Sequence, residues 1–305
     1  MKATSFFLKS VLGIALAGYV ITACNKDPAS SPSGPTGNGD AMDITPAQDD
    51  ANASLAASDA KNVSDAAIQW QSNYVPHGHN RYNLNFLFGD CITVTGKDTT
   101  INNSQDTIVY IKFGNHDCMG NDGRNRRGTI IVYWGLKHPG ETWLQAYFDS
   151  ANIITLLFNG YYLKGVGISG TKTWTNEGHD SAGFQNWNYT DNITLTYASN
   201  QIATWNTTRN TAIVEVGGNW YYEINGSGSG VSKNGIKYTV DITSPLYITL
   251  LPWWAGGCYW PEAGTVTITR SSPSETLTVN YGPLGTCSAN KNVNINGNIR
   301  AFVLW

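Results

Sequence analysis

The stretch CITVTGKDTTINNSQDTIVYIKFGNHDC, residues 91–118, decides the fold. Two runs of alternating apolar and polar residues, 92–95 and 107–113, flank a polar centre, and a cysteine stands outside each run. Short alternation of this kind is typical of a strand with one face in a core. The pattern therefore predicts an antiparallel hairpin whose open end brings Cys91 and Cys118 close enough for a disulfide.

The same plan returns near the end of the chain, in CYWPEAGTVTITRSSPSETLTVNYGPLGTC, residues 258–287. Alternating runs at 266–269 and 276–281 flank a polar centre, and cysteines again stand outside them. We therefore expect a second disulfide between Cys258 and Cys287. Four cysteines allow three pairings, and spacing alone leaves the other two open, as it does four buried free thiols.

The start of the chain indicates an exported protein. Lys2 and Lys9 give the chain a positively charged start. They precede an apolar run at 11–21, which is too short for an ordinary membrane-spanning helix. It ends in Ile-Thr-Ala-Cys, which resembles a bacterial lipobox. Residues 1–23 are thus predicted to be a lipoprotein signal peptide, and Cys24 the lipidated residue that binds the membrane. An ordinary secretory signal with an incidental cysteine is the alternative. Both routes lead to an oxidising compartment, in which disulfides persist.

Two segments of low hydrophobicity follow the signal peptide. Residues 24–42 are rich in Pro, Gly and Ser, which predicts a flexible tether. Residues 43–75 are rich in Ala, Asp and Ser, and a short helix is one alternative there. Because its apolar positions are mostly Ala, little would hold such a helix to a core, and we expect a semi-ordered lead-in.

Residues 76–305 are predicted to form one all-β domain. Charged residues make up 13% of the chain, and many short alternating runs take the place of amphipathic helices. We expect an antiparallel meander that forms a curled sheet or a sandwich, with the two disulfide-stapled hairpins near its ends. Hairpin turns are predicted at four Asn-Gly pairs, which tolerate positive φ, at 159–160, 225–226, 234–235 and 296–297.

The order of these motifs carries a resemblance. After the lipobox come Cys-x-T-V-T at 91–95, D-G-R-x-R-x-G at 122–128 and Y-T-V-D-I-T-S-P-L at 238–246. In this order the chain resembles a family of uncharacterised Bacteroidota surface lipoproteins with a cysteine-bracketed hairpin at each end of an all-β body. The resemblance implies a lipid-anchored protein of the outer membrane at the cell surface, with a periplasm-facing orientation as the alternative. It carries over no activity and no catalytic residue.

The most polar cluster of the body follows Cys118. Arg124 and Arg126 could hold an anion, or they could form the solvated basic rim of a stapled turn. The segment 115–128 lacks the regular oxygen donors of a calcium loop, and His77 and His79 have no identifiable third ligand. The sequence therefore predicts neither a metal site nor a cofactor.

A second candidate is the tryptophan-rich segment LPWWAGGCYWPEAG, residues 251–264. Trp253, Trp254 and Trp260 lie beside Cys258 in a segment that also carries Gly and Pro. Exposed rings on a rigid loop would form a platform for a sugar ring or an apolar ligand. Burial of the rings as a plug at one end of the domain is the alternative.

These features favour a lipid-anchored binding or adhesion module, with a glycan or an envelope or surface protein as its partner. No catalytic motif supports an enzyme. A secreted polymer-degrading hydrolase remains an alternative and would need two converging carboxylates; the candidates are Asp149, Asp180, Glu215, Glu223 and Glu262. A lipid carrier or assembly factor of the envelope is another alternative and would need a continuous apolar cavity. A net charge of −3 without a basic stripe argues against nucleic acid as a partner.

Overall fold

A computed structural model describes residues 43–71, 84–101, 104–135, 142–150, 152–179, 184–250, 257–271 and 274–304. The predicted signal peptide, Cys24 and the tether lie outside these residues, as do His77, His79, Trp253 and Trp254. Among the helices in these ranges, none is both long and apolar enough to cross a bilayer.

The domain is one sheet of 13 antiparallel strands that pair strictly in chain order. This confirms the all-β meander predicted from the alternating runs. The strands are β1 Thr93–Ile101, β2 Ser104–Met119, β3 Asn125–Gly135, β4 Ile153–Leu163, β5 Val166–His179, β6 Gln185–Thr196, β7 Ile202–Val216, β8 Asn219–Val231, β9 Lys237–Thr249, β10 Ala263–Ser271, β11 Ser274–Asn280, β12 Asn290–Ile295 and β13 Asn298–Val303.

Both predicted staples are present. Cys91 is bonded to Cys118 with a Cα–Cα distance of 6.0 Å, and Cys258 to Cys287 with 5.5 Å. The first staple closes the β1–β2 hairpin, beyond which β2 continues and pairs with β3. The second closes the β10–β11 hairpin. The two hairpins therefore share a plan in the structure as they do in the sequence.

The structure differs from the expected semi-ordered lead-in. Residues Thr45–Gln71 form α1, a helix of 27 residues that contacts strands from β1 to β10. Ala53, Ala56 and Ala60 are completely buried along it. The sheet curls around the helix, and alanine-sized side chains let the strands approach closely on most sides. The helix is thus buried by strands on several of its sides. An amphipathic pattern, which indicates burial of one side only, therefore did not reveal this helix.

Helix α1 also joins two hydrophobic clusters. Its first turns, with Ala47, Ala51 and Leu55, pack against residues of β9 to β13. Its later turns, from Ala53 to Ile68, pack against residues of β1 to β7. Two short helices complete the described elements: α2 Leu84–Phe88 and α3 Trp143–Phe148, the latter opened by a capping box at Thr142.

The four Asn-Gly pairs divide into two groups. The pairs at 234–235 and 296–297 form the β8–β9 and β12–β13 turns, as predicted. The prediction is wrong at 159–160 and 225–226, which lie inside β4 and β8 at shifts of register. There the positive φ of Gly160 and Gly226 serves a β-bulge, because a bulge needs the same backbone freedom as a tight turn.

Candidate functional site

A groove of about 470 Å³ lies between α1 and the concave face of the sheet, and we call it the helix groove. One wall is a stripe of α1 whose members recur three or four positions apart and so share one helix face. The stripe is polar: Ser54, Ser58, Lys61, Asn62, Asp65 and Gln69. This is the face of α1 that the hydrophobic clusters leave uncovered.

The other wall comes from inward-facing positions on neighbouring strands. It combines aromatic rings with charged groups: Lys172 and Trp174 on β5, Trp187, Tyr189 and Asp191 on β6, Trp205 and Arg209 on β7, and Tyr222 on β8. Since successive side chains of a strand alternate between faces, the groove residues of one strand are separated by an even number of positions, as Trp187, Tyr189 and Asp191 are. The sheet therefore presents charges at positions where a packed core would have aliphatic residues.

A buried ion pair lies on this sheet wall. Lys172 and Asp191 are directly opposed across β5 and β6, and Lys172 Nζ lies 2.9 Å from Asp191 Oδ1. The same ammonium lies 4.3 Å from the centroid of the Tyr189 ring. Burial lowers the pKa of Lys172, and the Asp191 carboxylate opposes that shift. The pair is therefore held together in a poorly solvated part of the groove.

A second ion pair lies on the helix wall. Lys61 Nζ lies 2.6 Å from Asp65 Oδ2, one turn further along α1. The ammonium also faces the rings of Trp174 and Trp187, with distances to their centroids of 5.5 and 6.0 Å. Tyr147 donates a hydrogen bond of 2.6 Å to Asp65. The pKa of the Tyr147 phenol is raised, mainly because it is buried and also because the Asp65 carboxylate lies beside it. Helix α1 and strands β5 and β6 are thus linked through Lys61.

Arg209 anchors α1 from β7. It donates a hydrogen bond of 2.6 Å to Ser54 Oγ, and its Nη2 lies 3.9 Å from Asp50 Oδ1. Asp50 also accepts a bond of 2.7 Å from the Trp205 indole. Burial raises the pKa of Asp50, although Arg209 and Trp205 act in the opposite direction.

Half-buried rings of β6 and β8 meet across the intervening strand β7. The Trp187 and Tyr222 rings line the groove with their centroids 6.2 Å apart in an edge-on arrangement. Beside them Phe184 contacts Trp220, with centroids 4.9 Å apart, and Trp220 is 39% exposed. Partly exposed rings of this kind offer apolar faces to a ligand.

The predicted basic turn is an internal ion-pair cluster. Arg124 and Arg126 are 4% and 0% exposed, so the prediction of a solvated rim is wrong for both. Arg124 Nη1 lies 2.8 Å from Asp59 Oδ1 of α1, and Arg126 Nε donates a bond of 3.0 Å to Asp59 Oδ2. Arg126 also pairs with Asp122. With carboxylates as their partners, these two guanidiniums stabilise the helix, and anion binding by them stays a prediction.

The two arginines of this cluster lower the pKa of Asp59. Burial by itself would raise the pKa of Asp59, but Arg126 and Arg124 together hold it below its usual value. Asp59 and Asp122 also line the end of the helix groove. The carboxylate of α1 and the turn after β2 thus form one ionised unit at the border of the groove.

The tryptophan segment contacts the same cluster. Trp260 is half-buried against the second hydrophobic cluster, and the Arg124 guanidinium lies 5.4 Å from its ring centroid. Trp260 is therefore partly packed against the core, and a ligand platform formed with Trp253 and Trp254 stays a prediction. Leu250 and Cys258, on either side of residues 251–256, both line the helix groove.

The groove residues were missed from sequence because they come from eight separate helices and strands, α1 to α3 and β5 to β9. One sequence signal could have indicated the groove: two consecutive strands each carry a charged residue at an inward-facing position, Lys172 and Asp191. The carboxylates considered for a hydrolase are elsewhere: Asp149, Glu215, Glu223 and Glu262 do not line the groove, and Asp180 lies outside the described residues. Within the described ranges, no group of three His, Cys, Asp or Glu residues could hold a metal ion.

Comparison of the chain with protein-family models, with curated proteins and with solved structures finds no match. The groove is therefore interpreted from its own geometry and chemistry.

Proposed function

We propose that this chain is a lipid-anchored binding or adhesion module of the bacterial outer membrane, and that it binds a saccharide in the helix groove. The observation that carries the proposal is the meeting of half-buried aromatic rings with hydrogen-bonding side chains in one cavity of about 470 Å³. Ligand pockets usually measure a few hundred cubic ångströms and combine apolar walls with a few placed polar groups.

A sugar matches this lining because it has apolar ring faces and polar edges. The Trp187 and Tyr222 rings can cover an apolar face, while Ser58, Asn62 and the ion pairs can bind hydroxyl groups. The proposed binding surface is therefore the helix groove, whereas the sequence pattern indicated the neighbouring tryptophan segment. A saccharide stays the favoured ligand, and an envelope or surface protein the other partner class.

The anchoring part of the proposal rests on the lipobox and is supported by the two disulfides, which persist in oxidising compartments. Growth of expressing cells with an alkyne-bearing palmitate tests it. We expect the label on the wild type and its loss in Cys24→Ser. Equal labelling of both proteins would contradict lipidation at Cys24.

The groove favours a binding module over the two other functions. A lipid carrier would need a continuous apolar cavity, whereas Lys61, Asp65, Lys172 and Asp191 interrupt the lining here. A glycosidase would need two carboxylates free to act on a bond, whereas Asp65 and Asp191 each hold a lysine. Neither alternative is favoured by a specific observation of this groove.

A glycan array followed by calorimetry tests saccharide binding. For the best saccharide, Trp187→Ala and Tyr222→Ala should each weaken binding about tenfold, since a lost ring contact of about 1.4 kcal/mol has that effect. Tyr162→Ala is the matched control, because Tyr162 lies on the outer face of β4 against Arg127. Absence of any bound saccharide, or equal effects of the groove and control variants, would contradict the proposal.

A further inference from the structure

The charged side chains that line the helix groove are all paired. Lys61 is paired with Asp65, Lys172 with Asp191, and Arg209 with Asp50. Asp59 is paired with both Arg124 and Arg126, and Asp122 with Arg126. These pairs include every Lys, Arg, Asp and Glu among the described lining residues. The groove is therefore rich in charge and locally neutral.

This arrangement disfavours a charged ligand. A ligand carboxylate, sulfate or phosphate would need an uncompensated cation, and a ligand amine would need an uncompensated carboxylate. To obtain one, the ligand would have to break a pair such as that of Lys172 and Asp191, which leaves its partner buried without a counter-charge. Breaking a buried pair in this way is strongly unfavourable.

The same pairs remain competent to bind hydroxyl groups. A carboxylate has about four acceptor positions and an ammonium three donors, so one ion-pair contact leaves further positions for a ligand. Lys61 and Asp65 are half-buried, and their stripe of α1 also presents Ser58 and Asn62 to the groove. Hydrogen bonds to ionised groups are the stronger kind, so a neutral hydroxyl gains from each pair without separating it.

We infer that the helix groove selects uncharged, polyhydroxylated saccharides and discriminates against acidic and amino sugars. The inference rests on the proposed function and narrows its ligand class. Discrimination arises from the pairing of the groove charges, and the aromatic rings contribute to affinity for every sugar alike.

Matched oligosaccharides of equal length test this inference: neutral hexose oligomers, the corresponding uronic acid oligomers, and the corresponding 2-amino oligomers. We expect the neutral form to bind at least about tenfold more tightly than either charged form. Its Kd should change less than about twofold between low and high salt, because no net charge is neutralised on binding.

Two substitutions should shift the preference in opposite directions. Asp65→Asn leaves Lys61 uncompensated and should improve binding of the uronic acid form relative to the neutral form about fivefold or more. Lys61→Gln leaves Asp65 uncompensated and should improve the relative binding of the amino form. Both positions are partly exposed, and an asparagine can still accept the hydrogen bond of Tyr147. Asp241→Asn on the exposed face of β9 is the control and should change neither ratio.

The outcomes separate the inference from the function on which it rests. If no saccharide binds, both fail. If a charged saccharide binds the wild type more tightly than its neutral counterpart, the inference is overturned and the binding function stands. Unchanged ratios in both Asp65→Asn and Lys61→Gln would also overturn it, because charge pairing would then not determine the selection.

Discussion

The guanidinium carbon of Arg124 lies 3.9 Å from the centroid of the Tyr259 ring. Arg124 follows the first disulfide, in the turn between β2 and β3, and Tyr259 directly follows Cys258 of the second. The contact therefore joins two segments that the strictly sequential strand pairing leaves far apart. Because Arg124 also holds Asp59, the contact ties both segments to α1.

Removal of the Tyr259 ring should weaken this junction. Tyr259→Leu should lower the free energy of unfolding by about 1–2 kcal/mol, the range of a partly desolvated cation–π contact. Tyr259→Phe keeps the ring and should cost less. Denaturation by urea, followed by intrinsic fluorescence, measures both. Equal losses for the two variants would show that the ring face contributes little.

Two carboxylates of α1 should differ sharply in their contribution to stability. Asp59→Asn leaves two buried guanidiniums undercompensated and should cost about 3–5 kcal/mol. Asp50→Asn should cost clearly less, because burial already raises the pKa of Asp50 and an asparagine can still accept from Trp205. Chemical denaturation of both variants at neutral pH makes the comparison. A larger loss for Asp50→Asn would contradict the assignment of Asp59 as the main anchor.

Lys291 should make the protein more stable at moderately alkaline pH. Its ammonium donates to the carbonyl oxygens of Pro261 and Tyr281, and burial lowers its pKa to about 8, although the Glu262 carboxylate acts in the opposite direction. An unfolded lysine titrates near pH ~10.4. Between these values the unfolded state binds more protons, so the free energy of unfolding rises with pH.

The expected rise from Lys291 between pH 8 and 10 is on the order of 2 kcal/mol. Unfolding by guanidinium across this range, with the disulfides intact, should show a smaller rise in Lys291→Met than in the wild type. Lys237→Met, at an exposed position of β9, serves as the control and should follow the wild type. Parallel curves for all three proteins would refute the assignment.

The bulge between β3 and β4 should be intolerant of any side chain at Gly128. Gly128 and Gly165 both have positive φ, at 86° and 81°. A Cβ at Gly165 would meet open space, so Gly165→Ala should cost only the backbone penalty of about 1–2 kcal/mol. A Cβ at Gly128 would overlap the backbone carbonyl of Gly160, so Gly128→Ala should cost about 2 kcal/mol more. Thermal unfolding of the two variants separates these effects, and equal losses would contradict the close approach at the bulge.

The predictable part of the fold is its local part. Each hairpin joins neighbouring runs of sequence, so the alternation and the cysteine positions favoured the two disulfides that the structure confirms. Helix α1 was missed because its burial depends on strands as far along the chain as β10. Asn159-Gly160 was misplaced because a bulge and a turn demand the same positive φ, and only the pairing partner distinguishes them.

The candidate site was less predictable than the fold. Arg124 looked like a surface cation, since its partner Asp59 precedes it by a whole helix and two strands. Tyr189 and Arg209 reach one groove because β6 and β7 pair in register, and that register emerges only when the strands are aligned. Rings and charges on separate strands form a common lining only after the sheet curls around α1.

Helix α1 lies inside the curled sheet and is synthesised before the strands that bury it. It is the first described element of the chain, yet its first turns pack against residues contributed by β9 to β13. During synthesis the first turns of the helix therefore remain without these packing partners until nearly the whole sheet exists. Its composition suits this delay, because Leu55, Val63 and Ile68 are its only aliphatic residues larger than alanine. A more hydrophobic helix would bury more apolar surface in the folded protein, but it would expose an aggregation-prone surface until the last strands are synthesised.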